Sequence, residues 1–149
     1  VCHRDVKLEN FIWFTDKDGC SEPGNITIKL TDFEFACKST NGALFGKKGT
    51  PGYIAPEMWS DQYYNNKIDV WSLGICFHAI LTKKQVSNKK PKPGTSYGRY
   101  GMYEVNFNTP QWKERSESAI DFVKQILKTN PSDRPNIHQV MNHEWIKTI

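Results

Sequence analysis

The sequence predicts a mainly α chain with a small β-hairpin near its start, an α+β arrangement in which helices dominate. Three observations carry this. Residues 26–33, "ITIKLTDF", alternate apolar and polar side chains, and the apolar run 8–14, "LENFIWF", precedes them across the turn-rich "TDKDGCSEPGN". The two runs read as a hairpin with a long connecting loop. From 67 to 81, "KIDVWSLGICFHAIL" places apolar residues on most faces of a helix, the pattern of a largely buried one. From 118 to 127, "SAIDFVKQIL" spaces Ala119, Ile120, Phe122, Val123, Ile126 and Leu127 at helical intervals. Pro131 in the following "NPSDRP" ends that helix, and a last helix is expected through "NIHQVMNHEWI".

At 149 residues the chain has the length of one ordinary domain. With 38% hydrophobic and 24% charged residues it can build a packed core, which excludes disorder throughout. No apolar run approaches the roughly 20 residues that span a bilayer. His3, Arg4, Asp5, Lys7 and Glu9 interrupt any signal-peptide core. There is no initiator Met, and the numbering is expected to begin inside a longer natural chain. The net charge of +4 is mild and no Lys/Arg stripe interleaves with aromatics, so nucleic acid is not an expected partner. Lys83, Lys84, Lys89, Lys90 and Lys92 cluster beside Pro91, Pro93 and Gly94, either as a solvated surface loop or as a docking patch for acidic partners. Cys2, Cys20, Cys37 and Cys76 are scattered, with no C-x-x-C pair; free thiols in a reducing compartment are expected, cytoplasm first and nucleus second. "DKDG" opens like a calcium loop, but the later ligands are absent.

The chemistry concentrates in short motifs. "HRDVKLEN" fits the pattern H-R-D-x-K-x-x-N with His3, Arg4, Asp5, Lys7 and Asn10. "TDFEFA" follows with Asp32 and Phe33, "GTPGYIAPE" with Thr50 and Glu57, "DVWSLG" with Asp69, and "NPSDRP" with Arg134. With these five signatures in order, the chain resembles the C-terminal lobe of a eukaryotic protein kinase, from the catalytic loop to the last helix. The resemblance covers residues 1–149 as a partial kinase domain. It implies a serine/threonine kinase that moves the γ-phosphate of ATP, with Mg²⁺, to a protein hydroxyl.

By that resemblance Asp5 is the base that orients the substrate hydroxyl and accepts its proton, and Lys7 sets a positive charge beside the transferred phosphoryl group. Asn10 and Asp32 offer the hard oxygen ligands that Mg²⁺ prefers. Phe11 and Ile12 form the floor under the adenine, and Thr50 contacts Asp5 and Lys7. His3 and Phe33 belong to a hydrophobic column, and Arg4 meets an activation-segment phosphate, for which Ser39 and Thr40 are the nearest upstream acceptors. Asp69 braces the catalytic-loop backbone, and Glu57 pairs with Arg134. Glu9 faces a basic substrate residue, a hint at basic peptides.

Lys7 and "GTPGY" resemble serine/threonine rather than tyrosine kinases, and the ending resembles calcium/calmodulin-dependent and calcium-dependent kinases most. Three features depart from the family. Glu34 stands where the D-F-G glycine should be, and Gly46 stands where many kinases carry their activating phosphosite. No G-x-G-x-x-G loop and no strand lysine are present, so the N-terminal lobe is expected to be missing and the 149 residues alone to be inactive. The alternative class is a kinase-like binding module without catalysis. Glu34 favours it; intact Asp5, Lys7, Asn10 and Asp32 oppose it.

Overall fold

A computed structural model describes residues 1–14, 27–38, 42–60, 62–86 and 105–148. Its order is a one-turn 3₁₀ helix at Leu8–Asn10, strands β1 (Phe11–Phe14) and β2 (Thr27–Leu30), and a 3₁₀ turn at Pro56–Trp59. Helices α1 (Lys67–Thr82), α2 (Pro110–Lys113), α3 (Glu117–Ile126), α4 (Ile137–Met141) and α5 (Glu144–Lys147) follow. The hairpin and the two long helices thus stand where the periodicity places them. The hairpin connection, Ser39, Thr40, Cys20 and the lysines at 89, 90 and 92 lie outside the described residues.

Helix α1 is the axis of the fold. Ile68, Val70, Trp71, Ser72, Gly74, Ile75, Cys76, His78 and Thr82 are all buried along it, and Ile80 is its one exposed residue. One face packs with Val6, Leu44, Ile54, Met58 and Tyr64 from the irregular segments. The other meets Trp112, Phe122, Val123, Ile126 and Val140 from the later helices. At Gly74 an added Cβ would come within 2.5 Å of Ile126, so hydrogen alone lets α3 approach so closely.

Helix ends follow ordinary capping chemistry. Ser116 accepts from the Ala119 N–H at 3.2 Å to start α3. Asn136 and Gln139 form a reciprocal capping box at the start of α4. The single last helix expected through 136–146 is instead two short ones. His143 leaves the helical conformation and its Nδ1 caps α5 by accepting from the Trp145 N–H at 3.2 Å. This break turns Trp145 onto Phe122 and Phe77, with ring centroids 4.8 and 5.7 Å apart.

The two-stranded sheet pairs Phe11 with Leu30, Ile12 with Lys29, Trp13 with Ile28 and Phe14 with Thr27. Phe11 and Leu30 pack against the core. Pleating sends Ile12 to the opposite face, where it is half exposed. Phe11 and Ile12 therefore do not share one floor as expected; only Ile12 is on the face turned away from the core.

Candidate active site

Residues 2–7 have almost no regular structure, so the site depends on side chains elsewhere to fix its backbone. Asp69, in the first turn of α1, does this with both carboxylate oxygens. One accepts from the His3 N–H at 2.7 Å and the other from the Arg4 N–H at 2.9 Å. Those bonds support Arg4 in a left-handed conformation, φ 68°. His3 is buried, and its Nδ1 accepts from the Asp5 N–H at 3.3 Å. That assignment leaves the ring proton on Nε2, which donates to the Thr31 carbonyl at 3.0 Å. The His3 ring also meets Phe33 edge-on at 4.7 Å.

Asp5 then projects into a clasp of three side chains. Its Oδ1 accepts from both the backbone N–H and the hydroxyl of Thr50, at 2.8 and 2.7 Å. Its Oδ2 accepts from Lys7 Nζ at 2.9 Å. Lys7 also donates to the Thr50 hydroxyl at 3.0 Å, which closes the triangle. Burial pushes the pKa of Asp5 up, but the hydrogen bonds from Lys7 and Thr50 outweigh it and hold the carboxyl below its usual value. The hydrogen bond to Asp5 in turn raises Lys7, with Asp32 and Glu9 adding attraction.

The count of lone pairs is informative. A carboxylate oxygen accepts about two hydrogen bonds. Among the described residues Oδ1 already has two donors and Oδ2 has one. Oδ2 thus retains an accepting direction beside a lysine ammonium group.

The segment that brings Thr50 here arrives through Gly49, with φ 101°. A Cβ at that position would lie 2.5 Å from the Arg4 carbonyl oxygen, so the approach of the two segments requires glycine. Asn10 is buried and donates its amide to the Asp5 carbonyl at 2.9 Å, which leaves its side-chain oxygen for another partner. Asp32 is exposed and left-handed at φ 61°. Its neighbour Thr31 was not singled out by its sequence, yet its N–H and hydroxyl both donate to the Asn10 carbonyl, at 2.9 and 3.0 Å. Its one signal is that it directly precedes Asp32.

Asn10 and Asp32 fit a magnesium ion by donor chemistry, since both offer hard oxygens. No cluster of three or more His, Cys, Asp or Glu side chains suited to a metal occurs among the described residues.

Glu34 resolves differently from its sequence expectation. It is not among the residues with positive φ, so a side chain is accommodated there without backbone strain. The unusual backbone belongs to Asp32, a residue type that tolerates it. Arg4 directs its Nε to the Phe35 carbonyl at 2.6 Å. Glu9 is exposed and accepts a long 3.4 Å bond from the Tyr53 hydroxyl, also unmarked in the sequence.

Glu57 and Arg134, 77 residues apart, meet at 2.6 and 3.0 Å through both carboxylate oxygens. Arg134 spends its other three N–H groups on the carbonyls of Lys128, Thr129 and Lys67. Its guanidinium lies 5.0 Å from the Trp71 ring centroid.

Sequence comparison sets this Asp–Lys–Thr clasp, tied to a central helix, in a known family. The chain matches the family described as protein kinase domain over residues 1–146, and it belongs to that family. It is similar to MAP kinase-activated protein kinase 2 of Cricetulus longicaudatus, 36% identical over 152 residues, with 98% of this chain and 44% of that protein covered. The human protein of the same name is also 36% identical, with 98% and 36% covered. Calcium/calmodulin-dependent protein kinase type 1 of Macrobrachium nipponense is 31% identical over 147 residues, with 98% and 40% covered. The chain spans less than half the length of these curated relatives. No helix among the described residues is long and apolar enough to cross a membrane.

Proposed function

We propose that the chain is the helical lobe of a serine/threonine protein kinase whose longer parent transfers the γ-phosphate of ATP to protein hydroxyls. The observation that carries this is the half-open Asp5 carboxylate. Thr50 saturates Oδ1, and Oδ2 keeps room for one donor 2.9 Å from Lys7 Nζ. A substrate hydroxyl donating to Oδ2 is oriented for attack. Because Asp5 is held below its usual value, it is a weak base. It therefore serves mainly to aim the hydroxyl, and takes the proton once phosphoryl transfer has made that proton acidic. Lys7 keeps its charge throughout, which suits it to stabilise negative charge spreading over the phosphoryl oxygens. Asp32 and the Asn10 side-chain oxygen would hold Mg²⁺, which would supply positive charge against the ATP phosphates.

Glu9 leaves an exposed carboxylate beside the clasp, fitted to a basic residue of the substrate peptide. Arg4 retains terminal guanidinium groups for an activation-segment phosphate. The site operates inside the cell, where ATP is abundant. The 149 residues alone are expected to show no steady transfer, since they hold one wall of a two-walled cleft.

The test uses the full-length parent with Mg–ATP and a basic serine peptide. Transfer should fall at least ~10²-fold in Asp5→Asn and in Asp32→Ala. A parent that binds partners but transfers no phosphate, with both variants indistinguishable from it, would establish the binding-module reading instead.

A further inference from the structure

The two cysteines that bracket the site face one another. Cys2 directly precedes His3, and Cys37 lies five residues beyond Asp32. They form an isolated antiparallel pair that exchanges both backbone bonds, Cys2 N–H to the Cys37 carbonyl and Cys37 N–H to the Cys2 carbonyl, each 2.8 Å. Residues opposed in this way have Cα atoms about 5.5 Å apart and side chains on the same face. A disulfide accepts Cα separations of roughly 4.4–6.8 Å, so the backbone already stands at bridging distance.

Both thiols are free. Their environments differ in a useful way. Cys2 is 2% exposed, and burial, then the Asp69 carboxylate, push its thiol far above the usual value. Cys37 is half-buried, and its thiol donates only a long 3.4 Å bond to the Lys38 carbonyl. A solvent-borne oxidant therefore meets Cys37 first, and Cys2 waits beneath it. Rotation about χ1 in each residue turns the sulfurs toward one another, and a small shift of the two backbones closes the rest of the gap.

We propose that Cys2 and Cys37 form a reversible intrachain disulfide when the chain meets a peroxide. Cys37, as thiolate, attacks one peroxide oxygen and breaks the O–O bond. It becomes a sulfenic acid, and the released hydroxide takes up the proton that Cys37 gave off, as water. The Cys2 sulfur then attacks the Cys37 sulfur. The sulfenic oxygen departs as a second water carrying the Cys2 proton, and the S–S bond remains. Two thiols lose two electrons and one peroxide gains them.

The geometry also sets the character of the bond. In a hydrogen-bonded antiparallel pair the Cβ atoms lie about 5.5 Å apart, against about 3.8 Å in a relaxed disulfide. Closing that gap strains the bridge, and strained bridges are the easily reduced ones. The link is thus a removable tie between the loop bearing Asp5 and the segment leaving Asp32. Its formation does not depend on reading the site as a kinase centre.

The purified chain, treated with stoichiometric hydrogen peroxide, alkylated and mapped by mass spectrometry, tests this. The Cys2–Cys37 linked peptides should dominate in native buffer and vanish with dithiothreitol. In guanidinium, where all four cysteines can meet, their yield should fall several-fold. Cys2→Ser should leave Cys37 as a sulfenic acid trapped by dimedone, and Cys37→Ser should leave Cys2 a free thiol. Three results would overturn the proposal: Cys37 advancing to sulfinic acid with Cys2 unlinked, Cys37 pairing preferentially with Cys20 or Cys76, or equal linkage with and without denaturant.

Discussion

The molecule contains two ion pairs of opposite temperament. In Glu57–Arg134, all five guanidinium N–H groups have partners and the Arg134 side chain is wholly buried. In Asp5–Lys7, the lysine is partly exposed and one carboxylate oxygen keeps an open accepting direction. Arg134 has no donor left to offer, so nothing new can bind through its guanidinium without breaking a bond it already makes. The Lys7 ammonium stays partly open to solvent beside an accepting oxygen. The state of the cation, buried and fully spent or partly exposed, separates the two pairs.

That contrast can be broken first at its rigid end. Arg134→Ala strands the Glu57 carboxylate and leaves the carbonyls of Lys128, Thr129 and Lys67 without this donor, so it should cost about 3–5 kcal/mol of unfolding free energy in urea titrations. Gly49→Ala comes next. Its methyl meets the Arg4 carbonyl and its backbone is already left-handed, so a loss of about 1–3 kcal/mol is expected by the same measurement.

Thr50→Val sharpens the comparison at the chemical end. It removes the hydroxyl from between Asp5 and Lys7, at a cost of about 1.5 kcal/mol. The Asp5 carboxyl is depressed in the folded chain, so its contribution is present above the ordinary carboxylate pKa and is lost as pH falls through the lowered value. Without the hydroxyl the carboxyl moves back toward its ordinary value, so the Asp5-dependent loss of stability in acid should be smaller in the variant and complete at a higher pH. An unchanged pH dependence of stability would show that the hydroxyl does not control Asp5.

The smallest effect belongs to His78. Burial lowers its pKa from the usual 6.5, so the folded chain disfavours the charged ring. Its contribution is complete above that value and declines as pH falls toward the lowered one. Thermal midpoints should therefore drop between pH 7 and pH 5, and His78→Gln should flatten that slope.

Much of this was legible in the sequence, and for a physical reason. Motif residues such as Asp5, Lys7, Asn10 and Thr50 take positions dictated by one chemistry, and the strong periodicity of α1 and α3 reports their burial directly. What escaped reading depends on the path of the backbone. The opposite facing of Phe11 and Ile12 follows from a pleat whose phase a short apolar run does not reveal. The break at His143 comes from a ring acting as a cap, a role its residue type rarely announces. Thr31 carries no pattern, and Cys2 and Cys37 looked scattered because a separation of 35 positions hides their pairing. Glu34 looked anomalous as a departure from glycine, yet the left-handed backbone falls on Asp32, two positions earlier.

Asp69 has a consequence for the order in which this lobe loosens. The loop at 2–7 has little regular structure of its own, but the amides of His3 and Arg4 are bonded to a carboxylate in the first turn of α1. Those two N–H groups can open to solvent only when the tether lets go or the helix end frays. Their deuterium uptake should therefore keep time with the interior amides of α1, far slower than that of the exposed Lys38 amide nearby. The loop at 2–7 and the central helix would then open as one cooperative unit, although more than sixty residues of chain lie between them.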